Sequence, residues 1–540
     1  MHPFLDRALL GVQALDTVRR MGMLHPKAAV SALQGASRWG PTLAAGYAAG
    51  VSRRGDEPAI IDDAGSLTFR EVDDLSNALA HVLAERGIGP DSPVAVLVRN
   101  GRWFVLTVAA LDKLGATLLY MNTGFAGPQL AEVLAREGAE LLVHDAEFAD
   151  AVAQHAPHAE HVVADAPVDG LDDLPTLVAG APTEAPPKPE RQGRQVILTS
   201  GTTGTPKGAS RSKESLGAGL VAATAIFQRV PFRVGDVHAV PAPMFHSLGN
   251  ASLLAGATMS HTLVLARRFD PEHLLAQIAE HRVRVVTAVP VMLQRMLALP
   301  DEVVERHDTS SLEVVFCSGS ALPGSLATAW MDRFGDNLYN INGSTEVAAA
   351  TVATPEDLRA APGTAGRPLS GVDVRLYDDD DLPVTRPGEI GRIFVGSALR
   401  FEGYTGGQTK PSIDGLLSSG DLGSFDDAGR LFVGGRDDDM IVSGGENLFP
   451  REVEDLLADL DGVEEVSVFG VDDDQYGQRL AAFVVLEDGA ELDEAAVKAH
   501  VRSNLAGYKV PRTVTFLDEL PRNPTGKVLK RELREQYPDA

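Results

Sequence analysis

The sequence predicts an α/β protein in two parts. A large multi-subdomain N-terminal domain combines parallel-rich sheets and helices with a small β-rich subdomain, and a small α+β C-terminal domain follows. Three observations carry the prediction. Apolar strand-like runs alternate with helical patterns from about residue 55 to 180. Short, glycine-punctuated strands take over near residue 363, and roughly the last hundred residues make a self-contained pattern of helices and strands. A chain of 540 residues is also long for one hydrophobic core.

Taken in order, residues 1–50 read as an N-terminal extension of helical pattern. "FLDRALLGVQALDTVRRMGMLH" mixes apolar and basic positions at helical spacing, which fits a helix packed on the body and leaves peripheral membrane contact open. "SPVAVLVR" reads as a buried strand, "WFVLTVAALDKLG" as a helix, "ATLLYMN" as a strand, "AGPQLAEVLAREG" as a helix and "AELLVHD" as a strand. Such alternation implies a largely parallel sheet with helices on both faces. The proline-rich "APTEAPPKPERQG" is an exposed connection leading into the strand "RQVIL". Further strands are "VHAVPAP", "VRVVTAV", "LEVVFCSGS" and "DNLYNIN". The β-rich part holds "VDVRLYD", "EIGRIFVG" and "RLFVGG". After "GGRDDDMIVSGG" come the helix "PREVEDLLADL", the strands "EEVSVFGV" and "LAAFVVLE", the helix "LDEAAVKAHVRSNL" and the strand "TVTFLDEL".

Composition narrows the partners. A formal charge of −27 argues against general affinity for nucleic acid or anionic membranes, both polyanions. Cys317 is the single cysteine, so no intramolecular disulfide forms and a reducing, cytoplasmic setting is expected. No apolar run is long enough for a transmembrane segment, and the N-terminus lacks a signal-peptide pattern. Nothing in the composition decides between a monomer and a homodimer.

The strand "RQVIL" delivers "LTSGTTGTPKGAS" at its C-terminal end, the edge where α/β proteins bind ligands. Thr199, Ser200, Thr202, Thr203 and Thr205 offer hydroxyls, Gly201, Gly204 and Gly208 expose backbone N–H groups, and Lys207 supplies charge. These are the groups a phosphate chain needs. The order Pro206-Lys207-Gly208 lacks the hydroxyl that follows the lysine of a Walker loop, and the Rossmann glycine spacing is absent.

Six strings in succession, "TSGTTGTPKG", "PMFHSLG", "CSGSALPGS", "NGSTE", "SSGDLGSFDDAGRLFVGGRDDDMIVSGGENLFPREVE" and "PRNPTGKVLKREL", resemble the adenylate-forming superfamily over roughly residues 55 to 535. That group includes acyl-CoA synthetases, luciferases and peptide-synthetase adenylation domains, and the similarity is strongest to bacterial fatty-acid–CoA ligases. The resemblance implies ATP, Mg²⁺ and CoA. A carboxylic acid attacks the ATP α-phosphate to give acyl-AMP and pyrophosphate, and a thiol then takes the acyl group. A carrier-protein thiol or water as acceptor, or a weak nucleotide-binding scaffold, are the alternatives.

The same resemblance implies an adenylate-forming domain over 51–437 and a mobile C-terminal domain over 438–540, hinged at Asp438. Lys527 would steady the carboxylate and α-phosphate, Glu346 would hold Mg²⁺, and Thr345 would contact the α-phosphate. Gly319, Ser320 and Ala321 would form one adenine wall, with Asn342, Gly343 and Ser344 opposite. Many relatives carry tyrosine where Asn342 stands, so a base-stacking surface is missing. Asp421 and Arg436 would bind the ribose hydroxyls, and Ser443, Gly444, Gly445 and Glu446 would shape the CoA channel. His246 is placed as a steric gate to an acyl pocket that includes Gly249. The pocket is expected from the helix after Ser215, the "MFHSLGNASLLAGATMS" segment and residues 317–350, all poor in acidic residues, as an apolar tail requires.

Overall fold

The computed structural model describes Arg19 and residues 26–125, 127–199, 207–211, 225–397, 401, 403–405, 407, 409–436, 441–443, 446–448, 450–473, 477–505, 507–524 and 526–537. Among them the chain forms four sheets. The first has nine strands, in the order Arg367–Pro368, Ala348–Ala353, Leu338–Ser344, Val314–Cys317, Val285–Ala288, Val237–Ala239, Thr262–Val264, Pro58–Asp62 and Gly65–Thr68. Its interior pairs are parallel and both ends are antiparallel. The second has seven, in the order Gly403–Tyr404, Lys207–Arg211, Gln195–Thr199, Thr117–Tyr120, Pro93–Leu97, Leu141–His144 and His161–Val163. It too is parallel, except where the phosphate-motif hairpin closes one edge.

Apolar runs explain these interior strands, since Val94–Val96 and Leu141–Val143 are buried on both faces. Helices fill the space between the two sheets. Arg102–Leu114 is buried from Phe104 to Lys113 and ends at Gly115, whose φ of 71° suits a glycine stop. Phe69–Glu85 begins with a capping box between Thr68 and Glu71. Leu43–Arg54 packs on Ser247–Thr258 and on Arg102–Leu114. It buries Leu43 and Tyr47 in the cluster that also holds Ile60, Val94 and Leu263. The expected boundary after residue 50 therefore falls inside a core helix. The buried Lys113 ammonium is matched by Asp73 Oδ1 at 2.8 Å, Ser76 Oγ at 2.8 Å and Asn77 Oδ1 at 2.7 Å, as a buried charge requires.

The third sheet is antiparallel and built from Asp373–Tyr377, Gly391–Gly396, Leu416–Phe425 and Leu431–Arg436, with short edge strands. The fourth runs Glu446–Leu448, Ile441–Ser443, Gly477–Leu486 and Val463–Asp473, with Thr513–Leu517 parallel to Gly477–Leu486. Helices Pro450–Ala458 and Glu494–Asn504 cover it through Val453, Leu457, Val497 and Val501. Among the described residues no helix is long and apolar enough to cross a membrane.

Candidate active site

Each large sheet changes from parallel to antiparallel beside a candidate motif. In the second sheet Gln195–Thr199 and Lys207–Arg211 pair antiparallel, with Thr199 opposite Lys207. Ser200, Gly201, Thr202, Thr203, Gly204 and Thr205 lie outside the described residues, and only the backbone of Thr199 and Lys207 is described. Gly208 has a packing role that its motif did not reveal. A side-chain carbon there would lie 2.8 Å from Thr405 Oγ1 and 2.8 Å from Val196 Cγ1. Thr405 N donates to Gly208 O at 2.8 Å.

In the first sheet the hairpin of Leu338–Ser344 and Ala348–Ala353 carries Glu346 at its tip. Gly343 sits at a bulge where any side chain would meet Ala348 O at 2.0 Å. Ser344 Oγ accepts from Glu346 N at 3.2 Å, and Ser247 Oγ bonds Thr345 Oγ1 at 2.8 Å. Tyr404 Oη donates to Glu346 Oε1 at 2.8 Å, while Phe401 N donates to Glu346 O at 2.8 Å. Tyr404 lies on the strand paired with the phosphate hairpin, opposite Ala209. Tyr404 therefore links the candidate metal ligand, through its phenol, to the strand Lys207–Arg211, with which its backbone pairs. Sequence reading missed Tyr404. It stands in "FEGYTGG", a short string outside the six that carry the resemblance.

No cluster of three His, Cys, Asp or Glu side chains fit for a metal ion exists among the described residues. A single hard carboxylate suits Mg²⁺ only where phosphate oxygens and water complete its shell. Glu346, half-buried and beside the phosphate hairpin, fits a cation that arrives with a nucleotide.

Gly319, Ser320 and Ala321 are exposed just beyond the strand Val314–Cys317. Ser318 Oγ donates to Ile341 O at 2.7 Å, binding this strand end to the one that carries Asn342. Asn342 is half-buried and pairs with Thr351 across the hairpin, whereas Asn340 is buried and donates to Thr364 O at 3.2 Å. Asp421 and Arg436 stand directly opposite each other in antiparallel strands, so the two expected ribose contacts share one place; of Arg436 only the backbone is described.

Lys527 lies exposed on a tight loop. Its N donates to Asn523 Oδ1 at 2.9 Å, and Asn523 N donates to Lys527 O at 2.9 Å. Gly526, with φ of 79°, closes the turn. A side-chain carbon on Gly526 would lie 2.3 Å from Val291 Cγ1 and 3.4 Å from Val289 Cγ2. One on Gly319 would lie 3.1 Å from Val289 Cγ1. Val289 thus stands between the candidate adenine wall and the lysine loop. Gln294 Nε2 donates to Glu464 O at 2.6 Å, a contact between the helix Pro290–Leu297 and the strand Val463–Asp473 of the fourth sheet.

His246 caps the helix Ser247–Thr258, and its ring lies 4.5 Å from that of Phe245. Its Nε2 is buried with no hydrogen-bond partner among the described residues, and burial pushes its pKa down to about 4. A neutral, unpartnered ring suits a steric gate better than a base. Gly249 is buried in the first turn of that helix, where a side-chain carbon would lie 2.3 Å from Pro243 O. Asp438, Gly444 and Gly445 lie outside the described residues, as do residues 212–224 of the expected acyl pocket. Ser443, described by its backbone, pairs with Glu446 and Gly477 in the fourth sheet.

Two family models match the chain: "AMP-binding enzyme" over residues 47–405 and "AMP-binding enzyme C-terminal domain" over residues 452–527. A long-chain-fatty-acid–CoA ligase, FadD13 of Mycobacterium tuberculosis, is 30% identical over 477 residues, 87% of this chain and 93% of that protein. A feruloyl-CoA synthase from Amycolatopsis sp. is 34% identical over 482 residues, covering 87% and 94%. Among solved structures, the anthranilate CoA ligase AuaEII with anthranoyl-AMP superposes with a TM-score of 0.83 at 26% identity, covering 92% of this chain and 97% of that one.

Proposed function

The chain belongs to the AMP-binding enzyme family of adenylate-forming enzymes, and from that membership we propose that it activates a medium- or long-chain fatty acid as acyl-AMP, a mixed anhydride formed with release of pyrophosphate, and passes the acyl group to CoA with release of AMP. Joining an acid to CoA is what the names of both relatives state, and AMP binding is what the family models name. The fatty acid is our choice among acids, because Ser247–Thr258 (SLGNASLLAGAT) carries no charged side chain to greet a polar substrate.

The first step brings a carboxylate against a polyphosphate, so charge neutralisation is the main demand. In our reading the hydroxyls and amides of the loop from Thr199 to Thr205, with Lys207, hold the β- and γ-phosphates. Thr345 meets the α-phosphate, Asp421 and Arg436 hold the ribose, and Gly319–Ala321 and Asn342–Ser344 flank the base. Mg²⁺, when bound with ATP, screens phosphate charge. Glu346 would hold it, with Tyr404 donating to the carboxylate. Lys527 bridges carboxylate and α-phosphate. The unit over 438–540 then turns about Asp438, withdrawing Lys527 and bringing residues 443–446 to a CoA channel. A reducing, cytoplasmic compartment suits a chain whose one cysteine is buried.

The observation that carries this reading is Val289, packed between Gly319 and the loop of Lys527. Its test is a carboxylic-acid panel from short to long fatty acids, with ferulate and anthranilate, followed by both pyrophosphate and CoA-thioester release. Wild-type enzyme should favour fatty acids, and preference for an aryl acid would overturn the substrate choice. Lys527→Ala should cripple acyl-AMP formation yet spare conversion of supplied acyl-AMP to thioester. Equal losses would overturn the lysine's role.

A further inference from the structure

The loop carrying Lys527 rests on a turn to which the reaction so far gives no task. Residues 122–125 follow the strand Thr117–Tyr120 of the second sheet. Gly124 N donates to Asn122 Oδ1 at 2.9 Å, and Phe125 N donates to Asn122 O at 3.1 Å. Arg99 braces the turn, reaching Thr123 Oγ1 at 3.5 Å while its Nε donates to Glu147 Oε1 at 2.6 Å. A side-chain carbon on Gly124 would lie 2.6 Å from Cγ and 2.9 Å from Cδ of Pro524. Both are proline ring atoms, which cannot swing aside as the end of a long side chain can. Gly124 is not among the positive-φ residues, so its own backbone accepts alanine. The nearest obstacle is Pro524, and Asn122 Oδ1 of the same turn follows at 3.3 Å.

We infer that Gly124 is a positioning residue for the adenylation half-reaction alone. It is the seat that lets the 523–527 loop approach closely enough for Lys527 to reach the nucleotide. Once the C-terminal unit has turned away, Pro524 leaves the seat and a methyl group there meets nothing of that loop. The inference rests on the reading above, in which Lys527 serves the first half-reaction only. A side-chain carbon on Gly526 would lie 2.3 Å from Val291 Cγ1, so the same loop also meets a second N-terminal segment.

The experiment uses the full-length enzyme with Gly124→Ala, Pro524→Ala, the double variant and Lys527→Ala. Ordinary carbon contacts lie at about 3.5–4.0 Å, so the methyl of Gly124→Ala forces the loop back by roughly an ångström. A displacement of that size costs about 10- to 100-fold in a reaction that depends on placement. Acyl-AMP formation should fall by that factor, while thioester formation from supplied acyl-AMP stays at the wild-type rate and so reports an intact fold. Pro524→Ala removes Cγ and Cδ, so the double variant should recover most of the loss. Wild-type adenylation in Gly124→Ala, equal loss of both half-reactions, or no recovery in the double variant would overturn the seat. If Lys527→Ala cripples adenylation but Gly124→Ala does not, the seat alone fails. If Lys527→Ala spares adenylation, the functional reading fails first.

Discussion

Tyr404→Phe is the substitution that most directly tests how the two hairpins cooperate. It deletes one oxygen and leaves the ring that packs edge-on against Phe401, with centroids 5.0 Å apart. What is lost is the 2.8 Å hydrogen bond to Glu346 Oε1. A hydrogen bond to a charged group contributes about 1.5–3 kcal/mol. At about 1.4 kcal/mol for each factor of ten, that range is roughly 10- to 100-fold. Both residues are half-buried, so water takes over part of the bond and the lower end, about tenfold, is expected. The assay is kcat/KM for ATP by pyrophosphate release over a range of Mg²⁺ concentrations, alongside calorimetric affinity for Mg·ATP. The deficit should be largest at limiting Mg²⁺, because a carboxylate free to rotate binds the cation less well. A melting temperature equal to wild type would exclude a folding cause. Unchanged kcat/KM and unchanged Mg·ATP affinity would refute the claim that Tyr404 orients the metal ligand.

Three further outcomes are expected. Asn342→Tyr should lower the KM for ATP, since stacking on a base contributes about 1–3 kcal/mol; an unaltered KM would mean that another group already covers the ring. Glu346→Gln should raise the Mg²⁺ concentration needed for half-maximal pyrophosphate release, and an unshifted titration would remove it as a ligand. His246 binds its proton more weakly in the folded chain than unfolded, with a pKa near 4 against an ordinary 6.5. The unfolded state therefore takes up the extra proton as pH falls, and stability is lost between pH 6.5 and 4. His246→Gln should remove about 2 kcal/mol of the stability difference between urea melts at pH 5 and pH 7. An unchanged difference would show that His246 does not stay neutral on folding.

The strands and helices were legible where burial follows a short period. "SPVAVLVR" and "WFVLTVAALDKLG" became the strand Pro93–Leu97 and the helix Arg102–Leu114 because each is wrapped on all sides by neighbours of the same layered unit. The division after residue 50 was not legible, since the packing of Leu43–Arg54 against two other helices leaves no mark in its own run of small residues. Gly208 reads as a phosphate-loop glycine, yet its neighbour is Thr405.

By itself the sequence determined the chemistry on offer. A strand ending in hydroxyls, glycines and a lysine, a carboxylate after a Gly-Ser-Thr turn and a lysine on a Pro-Thr-Gly loop are local strings, each complete within a few residues. Only the tertiary structure decided which of these groups lean on one another. The Tyr404 phenol comes to Glu346 across 58 residues, and the nearest obstacle to a side chain on Gly124 is Pro524 in the last part of the chain. Such contacts are set by how sheets and loops pack in three dimensions, and packing between distant segments leaves no periodicity in either of them.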